Sequence, residues 1–296
     1  MSFCFIQFLI AIAITSVRCG EVEFTILHNN DLHARFDEIS ASLGACTDAL
    51  KNSSSCFGGF ARAAHVIRDA RKEAAANGKP VFYFFAGDIF TGTEWFTIFR
   101  MEICTTFLNI LSPDVWTIGN HEFDDGGVDG LAKFVKSIRA PAVIANADFK
   151  KDIGTKKSVI LNAKNQKVGI IGAITSDIKQ ICDFTGDSIF EDEIKSINME
   201  AEALQKQGVE IIIALTHCGY EVDKKIAEKC PLVDLVIGSH SHSFLNSGRM
   251  DPIHPESKAI EGPYPTMIEQ PGGKKVPVVQ AYAYSKYIGK FDLKVR

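Results

Sequence analysis

The chain has no excess of basic residues, no second long apolar run, no internal repeat and no low-complexity tract. Lys and Arg number 32 against 36 Asp and Glu, a formal charge of −4 that becomes one unit more negative if Arg18 leaves with a leader. Nucleic-acid binding demands a basic face for the phosphate backbone, so no nucleic-acid partner is expected. The run Phe3 to Ile14 is shorter than the roughly 20 residues that span a bilayer. It reads instead as the apolar core of a secretory signal over residues 1–20, with Val17-Arg18-Cys19-Gly20 as the cleavage region, although no Lys or Arg precedes it. The chain ends Lys290-Phe291-Asp292-Leu293-Lys294-Val295-Arg296, which is no lipid-anchor tail. A secreted, extracellular protein is therefore expected. Nothing in the pattern sets its oligomeric state.

Six cysteines remain after residue 20: Cys46, Cys56, Cys104, Cys182, Cys218 and Cys230. Cys46 and Cys56 bracket a polar loop and are the expected disulfide in an oxidising compartment. The other four carry no evident pairing. Cys218 follows His217 and is expected as a small buried residue, because neighbours on a strand point to opposite faces. Asn52-Ser53-Ser54, in the same loop as the disulfide, is the glycosylation sequon of the mature chain.

What the chain does have is a regular alternation. Apolar runs at Glu23–Leu27, Val81–Phe85, Val115–Ile118, Ala142–Ala145, Val168–Ile171, Ile211–Leu215 and Leu232–Ile237 read as strands covered on both faces. Helical patterns lie between them, at Phe60–Ala76, Thr93–Leu111, Gly130–Ile138, Ile194–Gln207 and Glu221–Lys229. Val276–Ala283 and Tyr287–Val295 read as final strands. This predicts one large layered α/β domain over residues 21–296. Six of the ten prolines fall between Pro252 and Pro277, so that stretch is expected to be a long loop flanking the site.

Metal-type side chains sit just past the carboxyl ends of these strands. They are Asp31 and His33, Asp88, Asn120, His217, and His240 with His242. Ligands in open α/β sheets gather at that edge. Glycine precedes several of these positions and lets the backbone turn sharply. Each pair alone is a weak signal, since Asp-x-His or Gly-Asp is common at plain turns. Together they form a set no soluble core needs. Carboxylate, amide oxygen and imidazole suit hard or borderline divalent cations. A carboxylate between two such clusters can bridge two metals about 3.5–4 Å apart, a phosphoester-cleaving arrangement. Among the other histidines, His28 is expected to pack in the first strand and His65 to sit on a helix surface. His254 lies in the proline-rich stretch. Glu122 and Asp125 receive no role, and Phe190-Glu191-Asp192-Glu193 reads as a turn and helix start.

The motifs carry a family resemblance. Leu27-His28-Asn29-Asn30-Asp31-Leu32-His33, Ala86-Gly87-Asp88 with Thr91-Gly92-Thr93, Gly119-Asn120-His121-Glu122-Phe123-Asp124 and Gly238-Ser239-His240-Ser241-His242 resemble those of calcineurin-like metallophosphoesterases. The likeness is to the ecto-5′-nucleotidase branch, which also contains salivary apyrases of blood-feeding arthropods. It extends through Gly58-Gly59-Phe60-Ala61-Arg62 and Val276-Pro277-Val278-Val279-Gln280-Ala281-Tyr282-Ala283. It implies a sandwich of two mixed sheets flanked by helices. It implies two divalent metal ions, zinc by the histidines, with manganese, iron or magnesium as substitutes. One would be held by Asp31, His33 and His242, the other by Asn120, His217 and His240, with Asp88 bridging. Histidine stands at 242 where the family often has an amide. His121 and Asp124 match the family's catalytic dyad, and Asn120 also contacts substrate. Arg35 is a further candidate phosphate contact.

The resemblance implies a hydrolase that releases phosphate from AMP, ADP or ATP by in-line attack of a metal-activated hydroxide. An apyrase acting on ATP and ADP, a broad phosphodiesterase or UDP-sugar hydrolase, and a catalytically weak protein binding nucleotide or a host protein are the other readings. The family's C-terminal nucleotide-specificity domain has no counterpart in these 296 residues. Tight nucleotide binding is therefore expected to be weakened.

Overall fold

The computed structural model describes residues 22–250 and 256–295. The expected signal segment and His254 lie outside the described residues.

Two mixed sheets form the centre. The first contains β1 (Val22–Asn29), β2 (Val81–Phe85), β3 (Val115–Thr117), β4 (Ala142–Val143) and β11 (Gly289–Val295), in the order β11-β1-β2-β3-β4. The second contains β5 (Ser158–Ala163), β6 (Gln166–Ile174), β7 (Ile211–His217), β8 (Leu235–Ile237), β9 (Thr266–Glu269) and β10 (Lys275–Val279), in the order β9-β10-β8-β7-β6-β5. Inner pairs are parallel, while β11, β9 and β5 add antiparallel edges.

The period-2 rule sorts the core into layers. Phe24 and Ile26 of β1, Phe82 and Phe84 of β2, and Ile211, Ile213 and Leu215 of β7 meet between the sheets. Tyr83 and Phe85 face the other way, onto α1 (Phe60–Asn77), α2 (Glu94–Leu111) and α3 (Gly127–Ser137). Ile212 and Ala214 face α4 (Glu193–Gln205) and α5 (Tyr220–Lys229). The expected sandwich of two mixed sheets flanked by helices is what forms. Strands buried on both faces explain the near-continuous apolar runs.

Two expectations need correction. The proline-rich stretch is not simply a loop, because within it β9 pairs with β10 antiparallel. Pro263 and Pro265 precede β9, Pro271 lies in the turn after it, and Pro277 falls before the β8–β10 ladder begins at Val278. Among the described prolines of the stretch, Pro277 is the one inside a strand pair, opposite Met267. The helix expected over Thr93–Leu111 is broken at Arg100, with φ 51° and ψ −144°. The Asp125 carboxylate accepts the Met101 amide at 3.1 Å and caps the second segment.

A disulfide joins Cys46 and Cys56, with Cα atoms 5.8 Å apart. Cys104, Cys182, Cys218 and Cys230 are buried free thiols. Cys218 packs in the core against α5, as its strand position implied. Asp192 caps α4 through the Lys195 amide, so the acidic run does start a helix, but Phe190 ends a two-residue strand paired with Ala147 and Asp148 instead of lying in a turn. His65 is exposed beside Asp69. His28 is buried on β1 and bonded to the Tyr264 hydroxyl at 2.8 Å; burial pushes its pKa down to about 3.

Candidate metal centre

The carboxyl ends of both sheets deliver their side chains to one spot. β1 supplies Asp31 and His33, β2 supplies Asp88, and β3 supplies Asn120 and His121. β7 ends on His217, and β8 leads to His240 and His242. Two glycines make the approach possible. Gly87 has φ +89°, and a Cβ there would lie 2.7 Å from the Gly119 nitrogen and 2.9 Å from His217 Nδ1. A Cβ on Gly119 would collide with the Asp88 carboxylate.

The donor atoms form two groups, Asp31 with His33 and His242, and Asp88 with His217 and His240; a third, His33 with Asp88 and His121, joins them. His242 Nε2 is 3.4 Å from Asp31 Oδ1, and His217 Nε2 is 3.1 Å from Asp88 Oδ2. Asp88 Oδ2 also lies 3.8 Å from His33 Nε2, so it faces both groups. Asn120 Oδ1 is 3.2 Å from His217 Nε2. All seven expected ligand side chains are thus brought together.

The chemistry of this set suits cations. Two carboxylates, four imidazoles and an amide oxygen converge in a largely buried place, and the set itself contains no Lys or Arg. Two ring nitrogens, His33 Nε2 and His242 Nε2, face each other at 3.0 Å. Burial pushes His33 down, and burial with His217 nearby pushes His240 down to about 4, so both are neutral donors of a lone pair. His217 behaves differently. Burial lowers it, but Asp88 outweighs burial and carries it to about 10. Burial would likewise raise the Asp88 carboxyl, yet the facing His217 holds it well below the carboxylate range. The His217 Nδ1–H donates to the Ala86 carbonyl at 2.8 Å, which leaves Nε2 to face the centre.

His121 sits beside this centre, its ring centroid 5.1 Å from that of His33. Its Nδ1–H donates to Asp124 Oδ2 at 2.7 Å, and the Thr91 hydroxyl donates to the same oxygen at 2.5 Å. The Asp124 bond raises the His121 pKa to about 9 against the opposing effect of burial. His121 and Asp124, expected as a pair, are thus bonded through Nδ1.

Arg35 is partly committed elsewhere. Its Nη1 donates to the Leu43 carbonyl at 2.7 Å, and its guanidinium lies over the Tyr284 ring at 4.9 Å. That ring packs edge-on against His242, with centroids 5.1 Å apart.

Two positions within the motifs hold the site together in ways the sequence did not show. Glu122 is fully buried, and its two oxygens accept the amides of Asp88, Ile89, Phe90 and Gly119. It ties the Asp88 turn to the Asn120 turn. Burial beside Asp88 pushes its carboxyl up to about 7 in spite of those donors. Asn30 accepts the Ala281 amide and donates to the Tyr282 carbonyl, which docks the Tyr284 segment on β1. A buried acid within the motif was readable, but nothing separated Glu122 from its neighbour Asp125.

Comparison with known proteins agrees with this geometry. The calcineurin-like phosphoesterase model matches residues 24–244. An apyrase of Aedes aegypti is 37% identical over 278 residues, covering 91% of this chain and 48% of that protein. A snake venom 5′-nucleotidase of Gloydius brevicauda is 38% identical over 287 residues, covering 95% and 47%. The crystal structure of a 5′-nucleotidase precursor from Thermus thermophilus superposes with a TM-score of 0.79 at 30% identity, covering 92% of this chain and 51% of that one. The chain thus spans about half the length of the relatives it matches. A family model that covers most of the chain, on a fold and donor set of this kind, leaves one assignment: the chain belongs to the calcineurin-like phosphoesterase family.

Proposed function

We propose that this chain is a secreted, metal-dependent phosphohydrolase that releases phosphate from extracellular nucleotides. The observation that carries the reading is Asp88 Oδ2 facing both donor groups, with the His121–Asp124 pair alongside. Asp31, His33 and His242 would hold one cation and Asn120, His217 and His240 the other, with Asp88 between them. Zinc fits the imidazoles, and manganese, iron or magnesium fit the oxygens. Two bound cations would polarise the phosphoryl oxygens and make water acidic enough to react near neutral pH.

The chain's own groups do the rest. Asp124 holds the His121 ring through Nδ1 and keeps it protonated. The imidazolium Nε2–H then offers positive charge and a proton to the phosphoryl and leaving oxygens. Asn120 would donate to the phosphate through its amide, and Arg35 would contact it from beside Tyr284. Support for export comes from the leader-like residues 1–20, the disulfide and the exposed sequon at Asn52. No described helix is long and apolar enough to cross a membrane.

Apyrase activity is the second reading, favoured by a relative of that name at nearly the same identity as the nucleotidase. Phosphate release from AMP, ADP and ATP, with added divalent cation and with chelator, tests both. Cation-dependent release supports the hydrolase, and the preferred nucleotide separates the two. No release by folded, metal-loaded protein would refute it and leave a binding protein.

A further inference from the structure

Beside the metal centre lies an open cleft of about 1180 Å³, lined by Arg35, Phe36, Gly92, Trp95, Ile98 and Phe99 among others. That is at or above the size of small-ligand sites. It adjoins the centre, because Gly92 packs on the His33 backbone and Arg35, which lines the cleft, lies over the Tyr284 ring that packs against His33 and His242.

One wall is the first segment of α2, separated from the rest by the Arg100 break. That segment exposes apolar surface a helix would normally bury. Phe99 is 48% and Ile98 66% exposed. Trp95 is half-buried, and its ring lies 5.8 Å from that of Phe99 at a 34° tilt. The indole is also fixed in place. Its N–H donates to Asp37 Oδ2 at 2.7 Å, and Phe36 packs edge-on against it with centroids 6.5 Å apart. Left-handed backbone at a non-glycine residue costs energy and concentrates where function requires it.

We infer that Trp95 and Phe99 form a stacking platform for the aromatic base of a nucleotide whose phosphate lies at the metal centre. A held indole beside an exposed phenyl offers a flat face that every base can use. Arg35 lines the same cleft, and its guanidinium, over the Tyr284 ring, adds positive charge there. The metal domain would then carry its own means of preferring nucleotides over simple phosphate esters. This rests on the phosphohydrolase reading, and the test separates the two.

The chain has two tryptophans, and Trp116 is fully buried, so Trp95 is the natural fluorescent reporter. Adenosine, which carries no phosphate to hydrolyse, is titrated into the purified chain while tryptophan emission is followed. Saturable quenching that disappears in Trp95→Phe is the expected result. Unchanged emission would overturn the inference. In parallel, KM is compared for AMP and ribose 5-phosphate. Trp95→Ala is expected to raise KM for AMP about 10-fold and leave ribose 5-phosphate within about twofold. An equal rise for both would mark a structural role and refute the platform. Should Trp95→Ala fail to fold, Phe99→Ala removes an exposed ring and should raise KM for AMP alone. If no ester is hydrolysed, the hydrolase reading falls, and the adenosine titration still decides the platform.

Discussion

Replacing Glu122 by Gln should cost far more than an isosteric exchange suggests. Oε2 accepts Asp88 and Gly119 amides at 2.9 and 2.6 Å, while Oε1 accepts Ile89 and Phe90 amides at 2.7 and 3.4 Å. Glutamine has one acceptor oxygen. Whichever way the amide turns, two buried N–H groups meet an NH2 donor. Each orphaned donor costs roughly 1–3 kcal/mol, so the loss is about 2–6 kcal/mol. That is a large part of the roughly 5–15 kcal/mol that holds a domain together. The melting temperature should fall by roughly 5–15 °C. Function should suffer too, because those amides belong to the turns that present Asp88 and Asn120. Partners behind a metal ligand typically contribute about 10- to 100-fold in affinity or activity. Urea denaturation, metal content by elemental analysis and kcat/KM on AMP measure the three effects. A Glu122→Gln protein within about 0.5 kcal/mol of the parent, with unchanged metal content and turnover, would refute the reasoning.

Other perturbations separate roles within the site. His121→Ala should lower kcat by about 100- to 10,000-fold and leave metal content near normal, since the ring acts on substrate; metal loss would show it to be a ligand instead. Asp88→Ala should reduce binding at both metal positions together, seen as loss of both metal equivalents. Opening the Cys46–Cys56 loop, ten residues in separation, by Cys56→Ala should cost about 2–3 kcal/mol in urea denaturation. Burial pushes the Asp223 carboxyl up to about 8, so the folded state keeps a proton that the unfolded chain loses near pH 4. Asp223 therefore makes stability fall as pH rises from about 4 to 8. Asp223→Asn should remove that part of the slope, which urea midpoints across the range would show.

Periodicity exposed most of the scaffold, because strands covered on both faces and helices with one apolar stripe write their geometry into the chain. Ile211–Leu215 and Val81–Phe85 were readable for that reason. The edge strand Ser158–Ala163 was not, since an edge has one ladder partner and a half-exposed face. The candidate ligand side chains were legible because their types recur together at strand ends. The groups behind them were not. Glu122 matters through amides more than 30 residues earlier in the chain, and Asp125 through a helix break it caps from a distance. Such roles come from tertiary contact, and a local pattern cannot carry them. The proline-rich stretch misled for a related reason. Proline forbids only the donor side of a ladder, and which side faces a neighbour is settled by the fold.

Backbone strain collects at the candidate ligand positions, though it also occurs in other turns such as those at Leu43, Lys150 and Lys164. Asp31, His33, Asp88, His240 and His242 all have positive φ, between 49° and 75°. For residues with a Cβ this costs roughly 1–2 kcal/mol each. A turn selected for stability alone would place glycine there. His242 is the cleanest position to test, with φ 52° and a side chain 30% exposed, so its replacement opens little cavity. Relief of strain and of the crowded His33–His242 contact opposes the added chain entropy of glycine, about 0.5–1 kcal/mol. In chelator, His242→Gly should therefore match or exceed the parent in stability, by up to about 1 kcal/mol. With divalent cation present the order should reverse, because the parent gains binding energy that the variant lacks. Paired urea titrations with and without cation read both signs. A variant equally weaker under both conditions would mean that His242 packs for the fold and that its left-handed backbone is incidental to the metal.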